Sequence, residues 1–282
     1  ARYNNTTGRN RPMAGAQLRG LSAWLATLVC AVPLLLGFIL PAILLLKMAL
    51  TEGDAQFGER FLVLARNSIV LAGVTATIAV LLALLMGYGA RLSKTAFANG
   101  LNRLVGLGYA VPGAVIAVGV LIPVTRLDNW LAGQWEVWFG HNPGLLLTGG
   151  IAALIYAYLV RFLAVALHTV ESSLAKITPN MDDAARSLGL GQGETLRRVH
   201  IPMLRGSLLT AGLLVFVDVM KELPATLVMR PFKFDTLATQ AYTLASDERL
   251  AEASTAALAI VAVGLLPLIA LSRQITAARR RR

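Results

Sequence analysis

A polar stretch in the second half of the chain combines acids, small residues and a glycine at fixed spacing. It reads Asp183-Ala184-Ala185, then Gly189 after three residues, then Val199-His200-Ile201-Pro202 after nine more. The stretch holds no pairing of a nucleophile with a base. Its small residues and its amphipathic pattern favour recognition of another protein surface over catalysis.

A second group of charged residues lies in an otherwise apolar segment. Asp218, Lys221 and Glu222 are spaced so that a continuous helix would place them on one face, and Pro224 follows closely. In a membrane-spanning helix each such charge costs roughly 2.5–3.5 kcal/mol at the bilayer centre, so it normally faces protein or water. Two interpretations stay open: a translocation pathway or gate, and an internal ion cluster with Arg161. We expect Arg161 near the inner end of its own span.

The elements that must position these residues are membrane helices. Hydrophobic residues make up 56% of the 282 positions and charged residues only 15%, whereas globular chains carry about 25% charged residues. Apolar blocks long enough to cross a bilayer predict an all-α, polytopic bundle of six transmembrane helices. The predicted spans are 21–50, 68–90, 104–124, 145–167, 208–229 and 255–271. They form a transmembrane domain over 21–272, between a lead-in at 1–20 and a basic tail at 273–282.

The distribution of basic residues predicts the orientation of the bundle. Lys and Arg, including Arg91 and the run Arg279–Arg282, concentrate in alternate connections, which places both termini in the cytoplasm. The net charge of +11 then reflects topology beside anionic lipid and requires no nucleic acid. Cys30 is the single cysteine, so the chain can form no internal disulfide or cysteine metal site.

The connection 168–206 carries signals for a short capped helix. Thr178 is placed to cap it, Pro179 suits its first position, and Asp182 and Asp183 lie in the first turn, where the helix dipole favours acids. Gly189 stands where a left-handed residue would end the helix. One face of this helix would carry Met181, Ala184, Ala185 and Leu188.

A second short helix is expected from Glu194 to Val199, with Pro202 stopping it before the next span. The compact loop formed by the two helices either docks on a partner or packs beneath its own bundle.

The order of these loop residues resembles the Glu-Ala-Ala loop of bacterial ABC importer permeases. Asp183, Val199 and Ile201 replace Glu, Ile and Leu of that pattern. The resemblance implies that the loop docks in a cleft of an ATPase subunit, which would bind ATP and Mg²⁺; this chain would bind no cofactor. The implied coupling residues are Asp183, Ala184, Ala185, Gly189, Val199, Ile201 and Pro202.

A narrower resemblance covers 216–227, 230–232, 234–239 and 245–249. These segments are similar to the fifth span and following loop of ferric-iron ABC permeases of the bacterial inner membrane. The resemblance implies a periplasmic binding protein and a second permease half, either separate or fused in a twelve-span chain. Relatives that import thiamine, polyamine or phosphonate compounds share the loop and remain alternatives.

Other function classes find less support in the sequence. His141, His168 and His200 lie in or beside connections and not at the depth of a span, which disfavours an intramembrane enzyme. No glycine-rich nucleotide loop is present, and the outer acids form no pattern of metal ligands. A secondary transporter would usually show an internal repeat with broken helices, and the sequence indicates none.

Overall fold

The structure, a computed structural model, describes residues 18–51, 58–93 and 95–280. Residues 1–17 of the expected lead-in and the last two residues of the basic tail lie outside this part. All regular elements within it are helices, which confirms the all-α prediction. In chain order they are α1 Leu21–Thr51, α2 Glu59–Ser93, α3 Ala96–Gly106, α4 Gly113–Phe139, α5 Ala152–Leu174, α6 Pro179–Ser187, α7 Gln192–Met220, α8 Pro224–Met229, α9 Leu237–Ser246 and α10 Leu250–Arg280.

Within the described residues, five helices are long and apolar enough to cross a membrane: α1, α2, α4, α5 and α7. The sixth predicted span falls in α10, whose apolar part Leu250–Leu266 is shorter. The centre of the bundle is formed by α2, α5 and α7, which bury side chains such as Leu71, Leu154 and Val215. In contrast, α1 has no buried side chain and packs at the periphery against α10.

Two of the predicted spans are interrupted. The third does not run as one helix over 104–124, because α3 ends at Gly106 and a 3₁₀ turn, Leu107–Ala110, precedes α4. Val111 is extended because the following Pro112 disfavours helical geometry at its neighbour. The fifth breaks at 221–223, where α7 ends at Met220 and Pro224 supplies the first turn of α8.

Two other prolines are accommodated by widened helical turns. The π turn Leu196–His200 precedes Pro202, and the π turn Leu35–Ile39 precedes Pro41. A proline ring clashes with the carbonyl four residues earlier, and in both helices that carbonyl lies inside the π turn. The prediction that Pro202 stops a helix is therefore wrong, since α7 continues through it from Gln192 to Met220.

The connection between α4 and α5 is fixed by a buried acid. The Asp128 side chain is fully buried and accepts hydrogen bonds from the backbone N–H groups of Leu146, Leu147 and Thr148, at 2.7, 3.0 and 2.8 Å. The Thr148 hydroxyl also donates to it. Asp128 thus supplies the acceptors that this irregular backbone lacks.

Candidate functional site

The helix α6 forms where the local signals predict it. Thr178 occupies the N-cap position in extended geometry, although its side chain makes no capping hydrogen bond, and Pro179 opens the helix. Gly189 has φ +80°, as expected for a left-handed end. The N–H of Gly189 donates to Arg186 O at 2.9 Å and that of Leu190 to Ala185 O at 3.0 Å, the pair of bonds that defines a Schellman motif.

The side chains of α6 divide between the bundle and an open surface. Met181, Ala184 and Leu188 are exposed at helical spacing, and Leu188 is 81% exposed. Ala185 is 4% exposed and faces the bundle. The prediction that it shares a face with the other three residues is therefore wrong. We call Met181, Ala184 and Leu188 the docking face. An exposed ion pair between Asp183 and Arg186 flanks it.

The opposite side of α6 is attached to the bundle through Asp182. Arg91 at the end of α2 donates to Asp182 Oδ2 at 2.7 Å, and His200 Nε2 lies 2.7 Å from Oδ1. Burial raises the pKa of Asp182, but the hydrogen bonds and charges of Arg91 and His200 outweigh it and hold that pKa below its ordinary value. Sequence reasoning assigned Arg91 only to topology, because no local pattern indicates its partner.

The later loop residues lie at the start of α7 and belong to the bundle surface. Val199 and Ile201 are half-buried, and Ile201 packs against the core, while Pro202 is exposed. His200 between them is fully buried. These residues are continuous with α7, so the loop has one separate short helix, α6, and one that extends directly into the bundle.

The charged residues of the second group form two pairs. Arg161 Nη1 contacts Glu222 Oε1 at 2.8 Å and Oε2 at 2.9 Å, while Lys221 Nζ lies 3.0 Å from Asp218 Oδ1. They do not share one helical face, because α7 ends at Met220 and Glu222 lies in the interruption. The expectation for Arg161 is also wrong: it lies in the middle of α5, beyond simple snorkelling to the inner surface.

The Arg161–Glu222 pair lies where both helix interruptions meet α5. A Cβ added at Gly113, the first residue of α4, would lie 2.2 Å from Arg161 Nη1 and 2.5 Å from Glu222 Oε1. The N–H of Ala225 in α8 donates to Glu222 Oε1 at 3.2 Å. Pro224 opens α8 and is exposed. The pair therefore joins α4, α5 and α8 at one buried point.

Hydroxyl groups continue this polar point into the bundle. The Thr226 hydroxyl lies 2.6 Å from the Glu222 carbonyl and 2.5 Å from the Tyr158 hydroxyl, and both side chains are buried. Arg161 Nε is buried without a partner among the described residues. The Tyr158–Thr226 contact is a second polar connection between α5 and α8 beside the Arg161–Glu222 pair. In the described part of the chain, no three His, Cys, Asp or Glu side chains are grouped to hold a metal ion.

Comparison with known proteins gives a family match over most of the chain. Residues 79–282 match the profile of the "binding-protein-dependent transport system inner membrane component". The Fe(3+)-transport system permease protein FbpB 2 of Haemophilus influenzae is 28% identical over 222 residues, 79% of this chain and 40% of that protein. A Salmonella typhimurium protein named for 2-aminoethylphosphonate transport, PhnV, is 26% identical over 72% of this chain and 67% of its own length.

The chain thus spans about two fifths of the ferric-iron relative. Among solved structures, a bacterial alginate ABC transporter in complex with its pentasaccharide-bound periplasmic protein contains a chain with TM-score 0.64. The match is 17% identical and covers 90% of this chain and 95% of that chain, so the two share the fold.

Proposed function

The chain belongs to the binding-protein-dependent transport system inner membrane components, and on that premise we propose that it acts as a permease subunit of an ATP-driven importer of ferric iron. The docking face of α6 carries the proposal. It is an exposed apolar surface on a helix that is held firmly at one end of the bundle.

The proposed partners follow from this surface and from the family. Leu188, with Met181 and Ala184, offers a small apolar ridge suited to a cleft on a cytoplasmic ATPase subunit, which would supply the ATP and Mg²⁺. A second permease half would complete the pathway, and a periplasmic binding protein would deliver the cargo. Both termini would then lie in the cytoplasm, as the basic residues indicate.

Ferric iron is the proposed substrate because the relative named for Fe(3+) transport matches over 79% of the chain. The alternative is a small organic solute, since the protein named for 2-aminoethylphosphonate is nearly as similar. The Arg161–Glu222 pair is the proposed gate. It closes the bundle where two helices are already interrupted, so opening it requires little loss of helical hydrogen bonding.

ATPase activity in liposomes tests the proposal. The permease, its ATPase and its binding protein are reconstituted, and hydrolysis is measured with the binding protein empty, loaded with ferric iron, or loaded with 2-aminoethylphosphonate. Stimulation by the iron-loaded protein supports the full proposal, whereas stimulation only by the phosphonate would retain the importer and exclude iron. Absence of any ATPase association would overturn the importer and favour a secondary transporter.

A matched pair of variants tests the docking face. Leu188→Glu places a charge on the face and is expected to abolish ATPase association. Phe232→Glu alters a residue that is 95% exposed in the connection after α8 and should leave that association intact. Equal ATPase association in the two variants would refute the role of the docking face.

A further inference from the structure

The helix α2 is bonded at one end to the loop that carries the docking face. Arg91 Nη1 donates to Leu174 O at 2.9 Å and Nη2 donates to Ile177 O at 3.0 Å, in addition to its bonds with Asp182. The Tyr88 hydroxyl donates to Gln192 O at 2.9 Å. The end of α2 therefore holds both α6 and the beginning of α7.

The other end of α2 is bonded to the segment that follows α8. Asn67 Nδ2 donates to Asp235 O at 2.9 Å, and the Leu237 N–H donates to Ser68 Oγ at 2.9 Å. About two helical turns closer to the start of α2, Arg60 Nη2 donates to Gln240 Oε1 at 3.0 Å. We call Asp235–Gln240 the outer segment. It begins six residues after α8 ends at Met229, on the far side of the interruption that contains Glu222.

The middle of α2 makes contacts of a different kind. Between Ser68 and Tyr88 the buried side chains are mostly small and apolar, including Ala72, Ala76, Ala79 and Ala83. The buried Thr75 hydroxyl has no partner among the described residues. Directional bonds from α2 to other helices thus concentrate at its ends, and van der Waals contacts of small side chains fill the middle.

The helix itself is suited to carry displacement. It is 35 residues long, roughly 50 Å, and contains neither a proline nor a π turn. The path from α3 to α4 is broken at 107–112, and the path from α7 to α8 is broken at 221–223. Helices bend most readily at such breaks, whereas α2 is continuous from the loop that carries the docking face to the outer segment.

We propose that α2 transmits the displacement of α6 to the outer segment, with Arg91 and Asn67 as positioning residues at its two ends. The proposal rests on the proposed function, since it assumes that a partner moves the docking face. When α6 shifts, Arg91 draws α2 with it, and Asn67 and Ser68 move the outer segment relative to the Arg161–Glu222 pair.

A distance measurement in the assembled transporter tests this role. Spin labels are placed at Phe232→Cys, in the connection that leads from α8 into the outer segment, and at Trp138→Cys, in a Cys30→Ser background. They report the approach of that connection to the end of α4, and ATP with vanadate traps the nucleotide-bound state. The parent protein should show a nucleotide-induced distance change. Arg91→Met and Asn67→Leu should each lose that change, with uptake per ATP hydrolysed falling about fivefold or more. Asn67→Leu, at the end of α2 away from the docking face, should still hydrolyse ATP at the parent rate.

The combination of variants separates transmission from folding. Because both positions act on the same helix, the double variant should be impaired no more than the more impaired of the two single variants. The effects of independent packing defects would instead add. Arg103→Met, which removes an exposed arginine of α3, serves as the control and should retain the change. If Arg91→Met lowers abundance, Tyr88→Phe, which removes only the bond to Gln192, tests the same end more mildly.

Retention of the distance change in Arg91→Met or Asn67→Leu, or additive loss in the double variant, would overturn the transmission role while leaving the importer intact. A parent protein that binds no ATPase and shows no nucleotide response would instead overturn the proposed function and this inference with it.

Discussion

Replacement of Gly189 tests whether the end of α6 acts through its backbone geometry. Gly189 has φ +80°, and an added Cβ would meet no atom within 4 Å. A side chain there consequently changes the backbone preference without a clash inside the chain. Left-handed geometry costs an L residue roughly 1–2 kcal/mol, with β-branched Val at the upper end, whereas Asn tolerates it.

The expected magnitude follows from the two hydrogen bonds that close the turn, from Gly189 N to Arg186 O and from Leu190 N to Ala185 O. A penalty of about 2 kcal/mol lowers the equilibrium ratio of closed to open turn by a factor of about 30. Because Gly189 is exposed and outside the apolar spans, insertion and abundance should not change. Gly189→Val is expected to abolish substrate uptake, and Gly189→Asn should stay near the parent protein.

The assay compares uptake into liposomes, normalised to permease abundance, for the parent, Gly189→Asn and Gly189→Val. Normal uptake by Gly189→Val would refute the reasoning from backbone geometry. Equal loss in both variants would also refute it, and would indicate that the open space around Gly189 is occupied by the partner when the loop docks.

Three further predictions concern the buried pair and the loop attachment. Glu222→Gln leaves Arg161 without its counter-charge, at a cost of roughly 3 kcal/mol, and should reduce uptake more than abundance; equal loss of the two would favour a packing role. Gly113→Ala should force the pair apart and destabilise the bundle by about 1–3 kcal/mol, measured by thermal unfolding in detergent, with unchanged stability as the contrary result. The pKa of Asp182 is lowered on folding, so its contribution to loop stability should be fully present above the ordinary value of 3.8 and lost as pH falls through the lowered one. Protease protection of the loop should therefore decline in acid, and Asp182→Asn should lack that decline.

Local rules predicted the parts of the loop that depend on neighbours in sequence. Pro179 and Gly189 define the limits of α6 because their backbone preferences hold in any surroundings. Ala185 was misplaced because periodicity cannot tell which side of a short helix meets its own bundle. The attachment by Arg91 joins positions 91 residues apart, and a lone arginine at the end of a span gives no sign of such a partner.

The break before Pro224 explains why the charged segment was misread. The spacing of Asp218, Lys221 and Glu222 fits one helical face, but the helix ends at Met220 and redistributes the charges into two pairs. The energetic argument that Glu222 needs a partner was sound, and Arg161 was foreseen as a candidate. What the sequence could not supply was the depth of Arg161, since α5 begins later than its apolar block indicated.

The π turn at Leu196–His200 determines the orientation of the loop that carries the docking face, because it contains one extra residue. A π turn holds one residue more than an α turn, and in an α-helix each residue contributes about 100° of rotation and 1.5 Å of rise. Loss of one residue there would rotate Gln192–Thr195 by roughly a quarter-turn about the axis of α7. The carbonyl of Gln192 would then lie away from the Tyr88 hydroxyl that donates to it. The direction in which this protein presents its loop is therefore sensitive to a one-residue deletion that lies outside the predicted apolar block 208–229.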